Sequence, residues 1–202
     1  MREDIFSRNV PGITEKLQSA VAAIAGCGGL GSNAAVALVR AGVGTLILAD
    51  FDSVELSNLN RQHFFLADLG KKKTDALAVH LRNINPEVTL HLHAGTVTPD
   101  LVESIFGSAD LLIEAFDRAE AKQWLIETWC TLFPDKPLVA ASGLAGAGAT
   151  GEIQIRKSGN LYICGDGVSD PEYAGLISAR VALTANMQAN IALALLAGVE
   201  PV

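Results

Sequence analysis

An α/β fold is predicted for this sequence, a mostly parallel sheet with helices on both faces, and three observations predict it. Apolar β-type runs alternate with helical patterns along most of the chain, as they do when a sheet is buried between two helical layers. One of the runs, "ADLLIEAF", is apolar almost without interruption, the mark of a strand covered on both sides. Near the C-terminus the pattern changes to a hairpin, "GEIQIRKSGNLYIC", so the sheet is expected to end in antiparallel strands.

The elements follow in order. "VAAIAG" (21–26) reads as the first strand, and "LGSNAAVALVRAG" (30–42) as a helix that Gly42 closes. "TLILAD" (45–50) is the second strand. "KKKTDALAVHLRNINP" is a helix that stops before Pro86, because proline disfavours a helical residue ahead of it. "VTLHLHAG" is a strand, "PDLVESIF" a short helix, and "ADLLIEAF" (109–116) the next strand. "AEAKQWLIETWCTLF" is a helix and "PLVAASG" a further strand, after which come the hairpin, turning at "KSGN", and a long helix of small residues over 177–197. No repeat, linker or low-complexity segment interrupts this series, so a single domain over 1–202 is expected.

Half of the 202 residues are hydrophobic and 18% are charged, which suits a globular chain with a sizeable core. The net charge of −7, with no basic tail, argues against a broad nucleic-acid or membrane footprint. "MREDIFSRNVPG" has neither the apolar segment nor the cleavage site of a secretory signal. The longest apolar stretch carries Arg180, Asn186, Gln188 and Asn190, so it is read as a buried or interface helix and not as a membrane span. Cys27, Cys130 and Cys164 form no CxxC pair and suggest no disulfide framework; a reducing cytoplasm is the expected compartment.

Gly26, Gly28 and Gly31 form G-x-G-x-x-G between a strand and a helix, a turn that lets backbone approach a phosphate at a helix N-terminus. Asp50, nineteen residues after Gly31, ends the next strand, where a carboxylate can bind ribose hydroxyls. These features give a Rossmann-like nucleotide site that NAD or ATP would satisfy equally. The following loop, "DFDSVELSNLNRQ", holds Asn58 and Arg61, and "GKKK" adds Lys71, Lys72 and Lys73. An NAD site has no use for so many donors, whereas a triphosphate undergoing displacement does.

"GCGGLG", "ADFDSVELSNLNRQ" and "ADLLIEAFD" together resemble the ThiF/MoeB family of ubiquitin-activating-enzyme-like adenylyltransferases, from about Phe6 to the final helix. The resemblance implies attack of a substrate carboxylate on the ATP α-phosphate, giving an acyl-adenylate and pyrophosphate. The implied substrate is the C-terminal Gly-Gly of a small ubiquitin-like sulfur carrier protein, ThiS-like and serving thiamine biosynthesis, with molybdopterin and other sulfur-transfer routes as alternatives. A carboxylate is already ionised, so no general base is needed and none is evident. By the resemblance, the loop of Gly26, Gly28, Gly29 and Gly31 lies against the adenylate and Asp50 binds the ribose. Asn58, Arg61 and Lys73 contact the phosphates, and Asp117 binds magnesium. Arg8 reaches into the active site of a partner subunit, which implies a homodimer. Lys73 is chosen over Lys71 and Lys72 on alignment alone.

The chain also departs from the family. It lacks the two CxxC pairs of relatives that hold zinc, so no zinc is expected. Its crossover segment, "GVSDPEYAGLISAR", has no cysteine, which leaves adenylation without a covalent acyl-enzyme as the expectation. Cys164 is then the sole candidate for a reactive thiol, Cys27 a small buried side chain, and Cys130 an inert residue on a core helix. Arg118 follows Asp117 where asparagine is usual, which leaves the magnesium geometry open. Asp52 is either a supporting carboxylate of the phosphate site or the cap of the turn before Val54, and we read it as the cap. His91 and His93 share one face of a strand and are read as solvated, while Trp124 and Trp129 are read as core or interface. An NAD-dependent oxidoreductase and a binding module without catalysis remain as competing classes, and activation of a carboxylate on tRNA as a further route.

Overall fold

The computed structural model describes residues 5–202. Seven strands form one sheet: β1 (Val21–Ala25), β2 (Thr45–Ala49), β3 (Thr89–His93), β4 (Leu111–Glu114), β5 (Leu138–Ala141), β6 (Gln154–Ser158) and β7 (Leu161–Gly165). Their spatial order is β3-β2-β1-β4-β5-β7-β6, and every neighbouring pair is parallel except β6 with β7. The hairpin turn falls on Gly159 and Asn160, with Gly159 at φ +57°. The predicted fold class therefore holds, hairpin included.

Among the described residues seven α-helices surround the sheet: α1 (Thr14–Ser19), α2 (Gly29–Ala41), α3 (Lys73–Ile84), α4 (Val102–Phe106), α5 (Ala119–Leu132), α6 (Pro171–Ala174) and α7 (Ser178–Ala197). The short helices α1 and α6 escape the sequence reading, since α1 buries only Leu17 and α6 buries nothing. The helix expected from Lys71 starts two residues later, because Lys71 and Lys72 belong to the preceding loop. Strand alternation sorts the core into two layers. Ala22, Ile24, Leu111 and Ile113 face α2, α3 and α7, while Ala23, Ala25 and Leu112 face Phe106 of α4 and Leu125 and Trp129 of α5. Among the described residues no helix is long and apolar enough to cross a membrane. The polar residues of α7 divide, with Arg180 and Gln188 buried and Asn186 and Asn190 exposed.

Two features of this topology prepare a site. The chain runs outward from β1 in both directions, through β2 to β3 and through β4 to β5, so a crevice opens beyond the C-terminal ends of β1 and β4. Beside it, a buried ion pair fastens the segment after β7. Arg180 Nη2 meets Asp166 Oδ2 at 2.6 Å, its Nη1 donates to the Gly148 carbonyl, and Arg156 donates to the Asp166 carbonyl at 2.8 Å. Burial alone would raise the Asp166 carboxyl, but the backbone N–H groups of Ser169 and Val168, the Ser169 hydroxyl and Arg180 hold it well below the usual carboxylate range.

Removing one partner of a buried ion pair strands the other, at a cost of about 3–5 kcal/mol. Asp166→Asn should lower unfolding stability by about that amount at neutral pH. Because the folded-state value is depressed, the contribution is present above the unfolded value and fades as pH falls through the folded one. The gap between wild type and variant should thus narrow below about pH 4. Urea unfolding at a series of pH values measures both effects.

Candidate nucleotide site

The crevice is lined first by the glycine loop. Gly26 adopts φ +98°, and a methyl group there would lie 2.6 Å from the Ala115 carbonyl oxygen. A methyl on Gly31 would overlap the Gly26 carbonyl oxygen. Together the two glycines let α2 start hard against the end of β1 while β4 ends beside it. Gly28, at the N-cap of α2, supplies no side-chain cap, so the first-turn N–H groups and the positive end of the helix dipole face the crevice. Such a helix start suits an anion. Ser32 donates to the Gly28 carbonyl at 2.6 Å and Asn33 to the Gly29 carbonyl at 2.7 Å, which fixes the loop from within the helix.

Asp50 joins this loop to the next. Its Oδ2 accepts from the Cys27 N–H at 2.6 Å and its Oδ1 from the Asp52 N–H at 2.8 Å. The chain then makes a closed excursion, tied at its neck where the Val54 N–H donates to the Lys71 carbonyl and the Lys73 N–H to the Asp52 carbonyl. Asn58 is buried in this excursion, where its Oδ1 accepts from the Glu55 N–H at 3.1 Å and its carbonyl accepts from the N–H groups of Arg61 and Gln62. The Arg61 guanidinium donates to the Ser57 carbonyl at 3.1 Å and to Asn60 Oδ1 at 2.8 Å, and its aliphatic stem passes over Gly29. Asn33 donates to the Arg61 carbonyl at 2.9 Å, and the His63 N–H to Ser32 Oγ at 2.9 Å, so the excursion is stitched to α2.

Burial separates the three lysines, which spacing left unresolved. Lys73 is 7% exposed and its Nζ donates to Asp52 Oδ2 at 2.7 Å, whereas Lys71 and Lys72 are exposed and turn to Asp68 and to the Phe51 carbonyl. This corrects the reading of Asp52. Its carboxylate serves as the ion-pair partner of a buried lysine, and it is the carboxylate of Asp50 that takes up the turn N–H.

Asp117 lies just past β4, exposed, with no protein partner for its carboxylate among the described residues. The backbone before it, at Ala115 and Phe116, touches Gly26, so Asp117 stands at the lip of the glycine loop. Among the described residues no three His, Cys, Asp or Glu side chains gather into a metal cage. A single free carboxylate beside a phosphate cradle nevertheless fits magnesium, which commonly takes one or two carboxylates and completes its shell with phosphate oxygens and water.

Arg8 is not brought to this site within one chain. Phe6 packs on Gly42 and Asn9 donates to the Ala41 carbonyl at 2.8 Å, which holds Arg8 at the far end of α2. With 13 residues, α2 separates Arg8 from the glycine loop by roughly 20 Å. Gln62, by contrast, received no role from the sequence although it completes "SNLNRQ". It is 9% exposed, its Nε2 borders Gly28, and its Oε1 has no hydrogen-bond partner among the described residues. That motif was the only signal for it.

Cys164 requires a correction too, whereas Cys27 is the small buried side chain expected. Cys164 is fully buried in the core, and burial pushes its thiol up to about 12, so it is no reactive cysteine. Cys27 is likewise buried, and burial followed by the nearby Asp50 charge raises it well above the ordinary thiol value. Cys130 lies on the outer side of α5, exposed.

Residues 4–202 match the sequence model of the ThiF family. Adenylyltransferase and sulfurtransferase uba4 of Aspergillus terreus is 42% identical over 134 residues, which cover 66% of this chain and 27% of that protein. The chain thus aligns with about a quarter of the length of that relative. The sulfur carrier protein ThiS adenylyltransferase of Escherichia coli K12 is 31% identical over 192 residues, covering 92% of this chain and 76% of that protein. Among solved structures, Escherichia coli tRNA N6-threonylcarbamoyladenosine dehydratase, TcdA, in complex with AMP aligns with a TM-score of 0.81 at 25% identity, covering 91% of this chain and 88% of that one. The same protein in complex with ATP aligns with a TM-score of 0.76 at 26% identity.

Two outcomes follow from the geometry. Alkylation of the native protein at pH 8 should label Cys130 and spare Cys27 and Cys164 until denaturant is added, as peptide mass spectrometry would report. Gly31→Ala should destabilise the fold by about 1–3 kcal/mol, the usual cost of overpacking, and a thermal melt measures it.

Proposed function

This chain belongs to the ThiF family, and from that premise we propose that it adenylates the C-terminal Gly-Gly carboxylate of a small ubiquitin-like sulfur carrier protein, using ATP and magnesium. The proposal includes a homodimer acting in the cytoplasm, and a ThiS-like carrier serving thiamine biosynthesis. The observation that carries it is the convergence of an uncapped helix start, the buried Lys73 and the unpartnered Asp117 carboxylate around one crevice. Similarity to the ThiS adenylyltransferase over most of both chains supports the choice of carrier.

The chemistry asks for positioning and charge. The carrier carboxylate is ionised at neutral pH and attacks the α-phosphorus, while pyrophosphate leaves on the opposite side. N–H groups at the start of α2 hold the phosphate chain, and the Asp50 carboxylate has lone pairs left to accept from the ribose hydroxyls. Lys73, held by Asp52, meets the charge that develops on the phosphoryl oxygens. Arg61 reaches the same oxygens by exchanging its two surface hydrogen bonds, each worth about 1 kcal/mol net, for charge-assisted ones. Asn58 keeps the turn that aims Arg61. When bound, magnesium neutralises the leaving oxygens and polarises the phosphoryl group. Asp117 holds it, and Arg8 enters from the second subunit. Nothing in this scheme needs a thiol, in keeping with the burial of Cys27 and Cys164.

A second reading, activation of a carboxylate on tRNA, draws on the likeness to the tRNA dehydratase. The net charge of −7 counts against it, because a tRNA footprint requires a basic surface.

Titration calorimetry should detect magnesium–ATP binding and no NAD binding; preference for NAD would reverse the proposal. ATP–pyrophosphate exchange should depend on a ThiS-like carrier ending in Gly-Gly, and deletion of that dipeptide should abolish it. Arg61→Ala and Asp117→Ala should each cut exchange by about 100- to 1,000-fold with the melting temperature unchanged. Wild-type rates in either variant would refute the assignment.

A further inference from the structure

Beneath the loop that carries Asp117 lies a charged pair with no role in the scheme above. Glu114, the last residue of β4, is 0% exposed, on a strand whose other residues are all apolar. Alternation turns its side chain toward α5, where Lys122 Nζ donates to its two oxygens at 3.1 and 2.9 Å. The Phe116 N–H donates to Oε1 at 2.7 Å, and the Ala141 N–H at the end of β5 also bonds this carboxylate. Gln188 of α7 donates to the Glu114 carbonyl at 2.9 Å from the other face of the sheet.

This arrangement is expensive for a core. Burial raises the Glu114 carboxyl above its usual value even with Lys122 bonded to it, so the ion pair does not recover the cost of leaving water. An apolar residue would serve packing better. What the carboxylate supplies is a fixed acceptor for the N–H of Phe116, the residue directly before Asp117. That anchor matters because Arg118, at the N-cap of α5, contributes no side-chain cap, and the exposed Asp117 side chain has nothing else to hold it. The direction of Asp117 is therefore set by its backbone, and its backbone is set by Glu114, with the Phe116 ring resting on Trp124 at a centroid distance of 5.8 Å.

We infer that Glu114 and Lys122 form a positioning pair that aims Asp117 at the metal of a bound magnesium–ATP. The inference rests on the reading of Asp117 given under Proposed function. The pair touches neither nucleotide nor metal and acts through the 115–118 turn. Lys122 donates to both oxygens and Phe116 to Oε1, so an amide, whose nitrogen accepts nothing, loses one of the Lys122 bonds and the charge that Lys122 pairs with.

The test is calorimetry with ATP, once with magnesium and once in EDTA, on wild type, Glu114→Gln, Lys122→Met and Lys122→Arg, with folding checked by circular dichroism. Wild type should bind ATP more tightly with magnesium. Glu114→Gln and Lys122→Met should lose about tenfold of that magnesium-dependent gain and keep wild-type affinity in EDTA, as when a group supporting a metal ligand is removed. Lys122→Arg should retain the gain. Lys122 is partly open to solvent, so its methionine variant carries the test should Glu114→Gln fail to fold. Equal losses with and without magnesium would overturn the inference in favour of a scaffolding role, and unchanged binding in both variants would overturn it outright. Both of those outcomes leave the adenylation reading standing. A wild type that gains nothing from magnesium would defeat that reading, and this inference with it.

Discussion

The close approach of Gly26, Gly31 and Ala115 is the constraint from which the site is built. Backbone meets backbone at the end of β1, with no room for a single methyl group at either glycine. That contact brings the start of α2, the end of β1 and the exit of β4 to one point, at the place where strand order reverses. A helix dipole, a set of free N–H groups and the Asp117 carboxylate become neighbours only because the side chains between them have been removed. A bulkier loop would push α2 away from the sheet and open the cradle.

Three ion pairs surround that point, each with at least one buried member. Close to the crevice each ion pair joins a buried group to a more exposed one, the buried Lys73 to Asp52 and the buried Glu114 to Lys122. Further out, on the segment after β7, Arg180 and Asp166, both buried, lock a loop whose Val168 and Tyr173 stay exposed and whose helix α6 buries nothing. Each pair costs desolvation, and none resembles what a core selected for stability alone would contain. They hold short, irregular segments in one conformation where hydrophobic packing has little to grip. Asp117 stands apart as a carboxylate at the same site with no partner among the described residues.

Much of this was legible in the sequence. Periodicity located all seven strands and five of the helices, since burial on two faces and the helical repeat both leave a pattern in residue order. The glycine spacing and the donors of "SNLNRQ" marked the site, with the resemblance to the ThiF family attaching roles to Asn58, Arg61, Lys73 and Asp117. Other features were misread or passed over. Asp52 looked like a turn cap because turn chemistry is local, whereas its partner Lys73 is 21 residues away. Cys164 looked available because a strand end suggests exposure, yet α7 and the β5–β7 pairing cover it. Glu114 drew no attention within an apolar run, and Gln62 none beside a more conspicuous arginine.

The sequence by itself determined the alternation of strand and helix, the hairpin, the glycine turn and the set of residues able to handle a nucleotide. These are matters of near neighbours and of period, and the physics that governs them acts within a few residues. Tertiary structure alone decided which lysine is buried, which carboxylate is paired and which is free, that the Cys164 thiol is buried, and that Arg8 lies a helix length from the glycine loop of its own chain. Those outcomes turn on desolvation and on contacts between segments far apart in the chain, and neither quantity exists until the sheet has assembled.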